Sequence, residues 1–423
     1  MSLNKLRKLK RELKVQNNSR CYVYIWDMLV GEMILVSGTV YFKYDKSFTM
    51  NISPLYLELT KAQYSFQGLD FQNGIAGVFA DSLPDSFGMK IIDGYFERNY
   101  ERFEPNIIDK LLFVGDVSLG ALSYKPAIDS IKSTNIPIEL NDAKNLKRNI
   151  LEKNSFSSIR IAIDMYKSFS PAGGARQKMI LNYDKKENKF YIGKEKKRYK
   201  SLIVKIDESD KAGYGADAIT EFIYSKVAKS CGIDITDTYL FEDDDGYKHF
   251  AIERFDIDED NNRLHTHTLA GLLHVDKSKR VDYKDIMKIV KLHLDVPQED
   301  IEEMYRRMIF NYVYNNNDDH LKNYSFLMDR QGNWRLSPAY DLMYNNTNGQ
   351  RTMMLNINGK MSDEVSYSDF EELAKELQIN DYEEIIKKVM SSEKLFISLL
   401  DEMMDEKLKF HKLELFQINK IYN

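Results

Sequence analysis

The fold is decided by one stretch of the chain, Asn317-Asp318-Asp319-His320-Leu321-Lys322-Asn323. Asp318 and Asn323 have the D-x-x-x-x-N spacing of a kinase catalytic loop. In such a loop the aspartate accepts the proton of the attacking hydroxyl, and the asparagine ligates magnesium. A solvated acidic turn is the usual alternative for two adjacent aspartates. The choice between the two interpretations depends on the sequence around this stretch.

The residues that follow favour the first interpretation. A predicted β-hairpin, residues 324–336, leads into Ser337-Pro338-Ala339-Tyr340-Asp341-Leu342. Asp341 stands where a second metal carboxylate is needed, as in the D-F-G segment of protein kinases. Magnesium takes few hard oxygen ligands from protein besides waters and phosphates, so Asn323 and Asp341 suffice.

Two earlier features fit the same chemistry. The stretch Ser168 to Lys178 contains Gly173 and Gly174 just before a predicted strand, and backbone N–H groups in such a loop can cradle phosphate oxygens. Taken alone, a Gly-Gly pair is more often only a turn. Lys205 lies on an otherwise apolar strand, where it either faces solvent or is buried beside an anion. Glu221, on the following helix, is a candidate partner for it.

Composition excludes several classes of protein. The chain has 423 residues with 43% hydrophobic residues, an ordinary globular balance, and its net charge of −5 argues against a stand-alone nucleic-acid coat. Two cysteines, Cys21 and Cys231, fit a reducing compartment. We find no signal peptide and no run of about 18 apolar residues. A cytoplasmic protein without a transmembrane helix is expected.

The pattern along the chain predicts four regions. A basic N-terminal helix or arm covers residues 1–19; it is either a solvated helix docked by its leucines or a partner-binding arm. An α+β subdomain covers 20–150, a β-rich lobe 151–256 and a mainly helical lobe 257–423. His265 and His267 could suggest a metal site, but without a cysteine or a third histidine they are more typical of surface residues.

Periodicity predicts the main elements of the second half. The predicted strands are Lys178–Tyr183, Lys189–Ile192, Ser201–Ile206, Tyr239–Phe241 and His249–Glu253. The predicted helices are Ala216–Ser230, Tyr283–Leu294, Gln298–Tyr314, Ser368–Leu377 and Tyr382–Glu402.

Taken together, these motifs resemble the HipA-like toxin kinases of bacterial type II toxin–antitoxin systems. The resemblance covers nearly the whole chain from Tyr22 onward. It rests on six stretches: Phe79–Gly88, Val114-Gly115 with Gly120-Ala121-Leu122, Ser170–Lys178, Ile252–Asp256, Asn317–Asn323 and Ser337–Leu342.

The resemblance implies an α+β, protein-kinase/lipid-kinase-like two-lobed fold with an extra N-terminal α+β subdomain and a mainly α-helical C-terminal lobe. It also implies an ATP- and Mg²⁺-dependent serine/threonine kinase with Asp318 as catalytic base and Asn323 and Asp341 as metal ligands. The ATP-binding residues that it implies are Gly173, Gly174, Ala175, Arg176, Gln177, Lys178, Lys205, Glu253, Arg254, Phe255, His320, Asn323, Tyr340 and Asp341.

Regulation and partners also follow from the resemblance. It implies autophosphorylation of a serine in the glycine loop, Ser170 or alternatively Ser168, which would add a dianion next to the ATP phosphates. The implied partners are a small helix-turn-helix HipB-like antitoxin and a protein of the translation machinery, such as an aminoacyl-tRNA synthetase, with DNA reached only through the antitoxin. Two alternatives stay open: a small-molecule kinase, and a non-catalytic nucleotide-binding regulator that holds an antitoxin.

Overall fold

The computed structural model describes most of the chain from residue 18 onward. The described residues are 18–71, 74–84, 86–99, 104–128, 136–142, 178–207, 215–276, 278–344, 352–406, 409 and 418–422. The predicted N-terminal arm lies almost wholly outside the described residues. So do Ser168, Ser170 and the loop residues Gly173 to Gln177, for which the predictions remain untested.

The first unit is a five-stranded antiparallel sheet. Its strands run in the order β4-β3-β2-β1-β5. They are β1 (Arg20–Ile25), β2 (Met28–Val36), β3 (Thr39–Tyr44), β4 (Gln63–Ser65) and β5 (Leu122–Lys125). In β1 the residues Cys21, Val23 and Ile25 alternate into the core, which is the pattern of a half-solvated strand. Positive φ angles at Trp26 and Asp27 make the tight turn between β1 and β2.

Three helices accompany this sheet: α1 (Gly77–Ala80), α2 (Ser86–Asn99) and α3 (Ile107–Val114). The start of α3 is fixed by a capping box, in which Asn106 accepts from the backbone of Asp109 and the Asp109 side chain accepts from the backbone of Asn106. We call this unit, residues 18–128, the N-terminal subdomain.

The second unit is a six-stranded antiparallel sheet in the order β10-β11-β9-β7-β8-β6. Its strands are β6 (Ile136–Ile138), β7 (Lys178–Asp184), β8 (Lys189–Ile192), β9 (Lys200–Lys205), β10 (Thr238–Glu242) and β11 (Lys248–Glu253). Helix α4 (Ala216–Ser230) packs against β10 and β11. Strand β6 pairs with β8, so residues 136–138, which fall inside the predicted range 20–150, belong to this second sheet.

The rest of the chain is mainly helical around a small three-stranded sheet. The helices are α5 (Leu269–Leu273), α6 (Tyr283–His293), α7 (Gln298–Val313), α8 (Tyr367–Glu376), α9 (Tyr382–Ser391) and α10 (Glu393–Met403). The strands are β12 (His265–Thr268), β13 (Ser325–Met328) and β14 (Trp334–Leu336), in that order. Met304, Met308 and Phe310 of α7 are fully buried and make α7 the centre of this lobe. Strand β12 was not predicted from the sequence.

The predicted combination of β-rich and helical units is confirmed. Within the part of the chain that the structure describes, no helix combines the length and the apolar character needed to cross a membrane.

Candidate functional site

A cleft of about 820 Å³, measured out to open solvent, lies where the six-stranded sheet meets the three-stranded sheet. Its walls include Lys178 and Lys205 from the larger sheet, and Asn323 and Asp341 from the helical lobe. The structure therefore gathers in one cleft residues that lie more than 160 positions apart in the sequence.

Two lysines lie side by side on one wall of this cleft. Lys178 opens β7 and Lys205 closes β9, and the antiparallel register places them directly opposite one another. Like charges at opposed positions repel. Asp341 compensates for this repulsion, because one carboxylate oxygen lies 3.3 Å from Nζ of Lys178 and the other accepts from Lys205. Lys205 also donates to Glu221 on α4, so the predicted pairing of these two residues is confirmed.

The electrostatics of this cluster follow from burial and pairing. Burial alone would raise the pKa of Asp341, but the ammonium groups of Lys178 and Lys205 outweigh it and hold that pKa far below its usual range. Burial lowers the pKa of Lys178. Burial also acts to lower the pKa of Lys205, yet Asp341 and Glu221 outweigh it and raise that pKa. The cluster thus pairs two lysines with two carboxyl groups.

The backbone at Asp341 is unusual. Its φ angle of 57° lies in the left-handed region, which aspartate tolerates better than most residues but which still costs free energy. Such conformations concentrate at functional sites, where the surrounding structure maintains them. Asp341 is therefore held in a strained conformation facing the two lysines.

The predicted catalytic loop forms an extended segment that ends in a short 3₁₀ turn, Leu321–Asn323. The Asp318 side chain is 49% exposed, and its carboxylate lies 3.8 Å from Nε2 of His320. The amide nitrogen of Asn323 donates to the backbone carbonyl of Asp318 at 2.7 Å, which turns its amide oxygen to other partners. Asp318 thus stays accessible, whereas Asn323 faces the cleft.

Asp319 is a residue whose role the sequence reasoning missed. It is 1% exposed, accepts from the Tyr283 hydroxyl at 2.8 Å, and accepts from the backbone N–H groups of Met354 (2.6 Å) and Leu355 (3.3 Å). Burial raises the pKa of Asp319 to about 7. Nothing in the local sequence distinguishes it from Asp318, because its partners come from α6 and from the segment near residue 354.

The predicted adenine-contacting stretch lies at the end of β11. Of its three residues, Phe255 lines the cleft and stacks on Tyr340 with ring centroids 5.1 Å apart. The backbone N–H groups of Glu253 and Arg254 donate inside the protein, to Asp237 and Ser201 respectively. Among the described residues the backbone N–H of Phe255 makes no hydrogen bond, and this leaves it available to a ligand.

The side chain of Arg254 points away from the cleft into a buried ionic network. It pairs with Asp256 at 2.8 Å and with Glu195 at 2.8 Å. Arg263 also pairs with Glu195. Burial acts to raise the pKa of the Glu195 carboxyl, but the guanidinium groups of Arg263 and Arg254 outweigh it and lower that pKa to about 2. This network joins the segment after β11 to the loop after β8.

The interpretation of the two histidines of β12 as surface residues is wrong. His265 and His267 are both fully buried. His265 contacts the backbone carbonyl of Ile52 at 2.9 Å, and His267 lies between Ser53 and Asp81. No group of three or more metal-ligating side chains occurs in the described ranges. Their role is to hold the N-terminal subdomain against the lobe.

The residues present fit a nucleotide with its cation. Asn323 and Asp341 offer an amide oxygen and a carboxylate, which are the hard ligands that magnesium prefers, and two are enough when phosphates and waters supply the rest. Lys178 and Lys205 offer ammonium groups to phosphate oxygens. Tyr340, whose hydroxyl bonds the Lys322 carbonyl at 2.7 Å, and Phe255 provide an aromatic surface.

A β-rich lobe and a helical lobe with lysines, an asparagine and an aspartate in the cleft between them define a protein-kinase-like fold. Comparison with known families agrees: residues 21–125 match the HipA N-terminal domain, and residues 170–395 match the HipA-like C-terminal domain. The chain belongs to the HipA family, which confirms the resemblance that the sequence motifs indicated.

Individual relatives give the same picture. A Haemophilus influenzae protein named "Putative kinase" is 30% identical over 139 residues, or 30% of this chain and 40% of that protein. A Sinorhizobium fredii protein with a similar name is 29% identical over 157 residues, or 34% of this chain and 37% of that protein. The chain thus spans about two fifths of the length of the curated relatives that it matches.

A solved structure shares the fold over almost the full length. It is Shewanella oneidensis HipA in a complex with HipB and its operator DNA. It superposes with a TM-score of 0.67 at 18% identity and covers 93% of this chain and 95% of that one. The predicted kinase-like fold with an extra N-terminal subdomain is confirmed.

Proposed function

We propose that this protein is an ATP- and Mg²⁺-dependent serine/threonine protein kinase and the toxin of a HipA/HipB-like pair in the bacterial cytoplasm. The observation that carries the proposal is the cleft itself. There, Lys178 and Lys205 hold Asp341 between them, beside the loop that bears Asp318 and Asn323. A fold that served only to hold an antitoxin would not need two buried lysines and a strained aspartate in one cleft.

Each residue has a role in this proposal. Lys178, Lys205 and the loop Gly173 to Gln177 bind the phosphates, and Asn323 and Asp341 hold the cation. A bound magnesium ion would neutralise charge on the phosphates. The backbone at Glu253 to Phe255 meets the adenine, with the N–H of Phe255 as the available donor. His320 and Tyr340 lie near the triphosphate.

Asp318 is the proposed catalytic base. Its carboxylate is half exposed. A group that contacts the hydroxyl of a protein substrate must be accessible in this way. Asp318 accepts the proton of that hydroxyl as the oxygen attacks the γ-phosphorus, the bond from this phosphorus to the bridging oxygen breaks and ADP leaves. Orienting the hydroxyl is the larger part of its contribution. The 3.8 Å separation from His320 places a second polar group next to the same carboxylate.

Partners and substrate are proposed at the level of class. The S. oneidensis relative is in a complex with HipB and operator DNA, and the fold match extends over 93% of this chain. We therefore infer a small helix-turn-helix antitoxin as partner, with DNA contacted through it. The proposed substrate is a protein of the translation machinery, such as an aminoacyl-tRNA synthetase. The proposed site of self-modification is Ser170, or alternatively Ser168.

The test is intact-mass spectrometry before and after incubation with Mg-ATP. We expect the wild type to gain about one phosphate, and peptide mapping to place it on Ser170 or Ser168. We expect Asp318→Asn to lose at least about a hundredfold in rate, the usual contribution of a positioned proton acceptor. The matched control is Asp363→Asn, which changes an exposed aspartate in the turn before α8. Its rate of phosphate gain should equal that of the wild type.

The other outcomes separate the alternatives. A wild type that is phosphorylated as purified supports the kinase, provided that Asp318→Asn is purified without phosphate. Phosphate gain by Asp318→Asn at the wild-type rate would contradict the site assignment. A wild type that binds ATP but transfers phosphate to neither itself nor proteins of a lysate supports the regulator, and transfer to a small molecule of that lysate supports the small-molecule kinase.

A further inference from the structure

Two sequence motifs remain unused by the proposed chemistry, and the structure brings them together. One is Asp81 in the stretch Phe79–Gly88 of the N-terminal subdomain. The other is the pair His265 and His267 on β12 of the helical lobe. His267 lies 186 residues from Asp81 in the chain, yet its Nδ1 lies 2.7 Å from a carboxylate oxygen of Asp81. These residues form a contact between the two units at the cleft.

Asp81 makes three hydrogen-bonding contacts, and all of them reach β12. Thr268 donates to it through its backbone N–H and through its hydroxyl, each at 2.8 Å. Nδ1 of His267 lies 2.7 Å from the carboxylate and Nε2 of the same ring lies 3.0 Å from the hydroxyl of Ser53, so the imidazole connects Asp81 to Ser53. The Asp81 side chain is 8% exposed, so these are buried, charge-assisted bonds, the stronger kind.

The backbones at this contact approach each other closely. A methyl group built at Gly77 would overlap the backbone of Gly271, and one built at Gly271 would overlap the carboxylate of Asp81. Gly271 lies on α5, immediately after β12. Glycine at both positions lets α1 and α5 touch, and this contact brings Asp81 within reach of β12.

The contact also shapes the cleft. Asp81 lines it together with Leu83 and Leu119 of the N-terminal subdomain, and Thr266 and Thr268 of β12 line it from the other side. β12 pairs with β13, where Thr268 lies opposite Ser325, which also lines the cleft. A shift of β12 would therefore move the surface on which the ligand rests.

We propose that the N-terminal subdomain forms one wall of the nucleotide site, and that Asp81 is a positioning residue for nucleotide binding. Asp81 acts by fixing β12, and with it the cleft-lining residues Thr266 and Thr268. The inference rests on the proposed function, because it assumes that the cleft binds a nucleotide. It assigns Asp81 to substrate affinity rather than to phosphoryl transfer, since its carboxylate is occupied by β12.

The test measures binding and turnover separately. The variant is Asp81→Asn, which keeps the shape but removes the charge. The matched control is Trp26→Phe, which removes a 2.6 Å hydrogen bond from Nε1 to the Arg263 carbonyl, another contact of the N-terminal subdomain with the same lobe but outside the cleft lining. The probe is the β,γ-imido analogue of ATP with Mg²⁺, by titration calorimetry, followed by KM and kcat for ATP.

We expect Asp81→Asn to weaken binding of the analogue about tenfold, the equivalent of one charge-assisted hydrogen bond. KM for ATP should rise by a similar factor with kcat unchanged, and Trp26→Phe should match the wild type in both. If Asp81→Asn does not fold, the variant Ser53→Ala is used instead. This substitution removes only the hydroxyl that contacts Nε2 of His267. About threefold weaker binding is then expected.

Three results would overturn the inference. If Asp81→Asn, or Ser53→Ala in its place, binds the analogue as tightly as the wild type does, the N-terminal subdomain does not act on nucleotide binding. Equal weakening in Trp26→Phe would show general loosening between the units. A fall in kcat without a change in KM would move Asp81 to the chemical step. A wild type that does not bind the analogue would instead refute the proposed function on which the inference depends.

Discussion

At the scale of single residues, the cleft is organised by charge balance. Two lysines face each other on neighbouring strands, and two carboxylates, from α4 and from the segment after β14, neutralise them. Buried charges are tolerated only when they are paired in this way. Asp319 is also buried, next to the accessible Asp318, but its partners are uncharged: one hydroxyl and two backbone N–H groups donate to it.

Asp319 gives the protein a specific pH dependence. Its pKa is raised to about 7 by burial, whereas an aspartate in the unfolded chain titrates near 4. The folded protein therefore holds this proton more tightly, and the contribution of Asp319 to the free energy of unfolding falls as pH rises from about 4 to about 7. We expect Asp319→Asn to remove this slope, as measured by urea unfolding of both proteins at pH 5, 6, 7 and 8.

A result that would contradict this prediction is a constant stability difference between wild type and Asp319→Asn across that pH range. Asp318→Asn, the same substitution at the neighbouring half-exposed residue, serves as the control.

At the scale of elements, the sequence predicted most of what periodicity can reveal. The strand Lys189–Ile192 and the helix Ala216–Ser230 have the predicted bounds. The segment Tyr382–Glu402 was predicted as one helix and forms two. The hydroxyls of Ser391 and Ser392 both bond the carbonyl of Lys388 at the break, and such side-chain bonds compete with the helical ladder.

The candidate site was predictable in its parts but not in its assembly. The spacing from Asp318 to Asn323 and the later Asp341 could be found because they lie close in sequence. Strand β12 could not be found from the sequence, because His-Thr-His-Thr lacks the alternation of apolar residues that marks a strand. Its histidines are buried only because Ile52, Ser53 and Asp81, about 185 to 215 residues earlier, provide their partners. Local pattern carries no information on such contacts.

The contact between α1 and α5 predicts a difference between two glycines. Gly77→Ala would place a methyl group against the backbone of Gly271, which cannot move aside without shifting α5. We expect a loss of about 1–3 kcal/mol in the free energy of unfolding. Gly94→Ala on α2 meets nothing within 4 Å and should gain up to about 1 kcal/mol. Urea unfolding of both variants tests this, and equal effects would contradict it.

At the scale of the whole molecule, buried ionic contacts join the three parts. Asp256 accepts from Arg254 through both oxygens and from the backbone N–H of Gly120 in the N-terminal subdomain at 2.6 Å. Arg254 in turn reaches Glu195 beyond β8. Burial acts to raise the pKa of Asp256, but Arg254 outweighs it and lowers that pKa. One carboxylate thus links the segment after β11 to both neighbouring units.

Breaking this link should be costly. Among the described residues, Asp256→Asn leaves the buried guanidinium of Arg254 with Glu195 as its one anionic partner. We expect a loss of about 3 kcal/mol in the free energy of unfolding at pH 7. The control is Asp260→Asn, whose ion pair with Lys197 spans 3.5 Å on the open surface, where a change below about 0.5 kcal/mol is expected. Similar losses in the two variants would show that burial of the network contributes little.

The cluster of Lys178, Lys205, Glu221 and Asp341 means that the cleft carries its own counterions. If the cleft binds a nucleotide and its cation as proposed, lysines that turn toward the phosphate oxygens would release Asp341, and the released carboxylate could take the cation. Occupancy by the anion and occupancy by the cation would then be thermodynamically linked, and each would raise the affinity for the other by the same factor. Under the proposed function, ligand entry would be an exchange of counterions rather than an addition of charge.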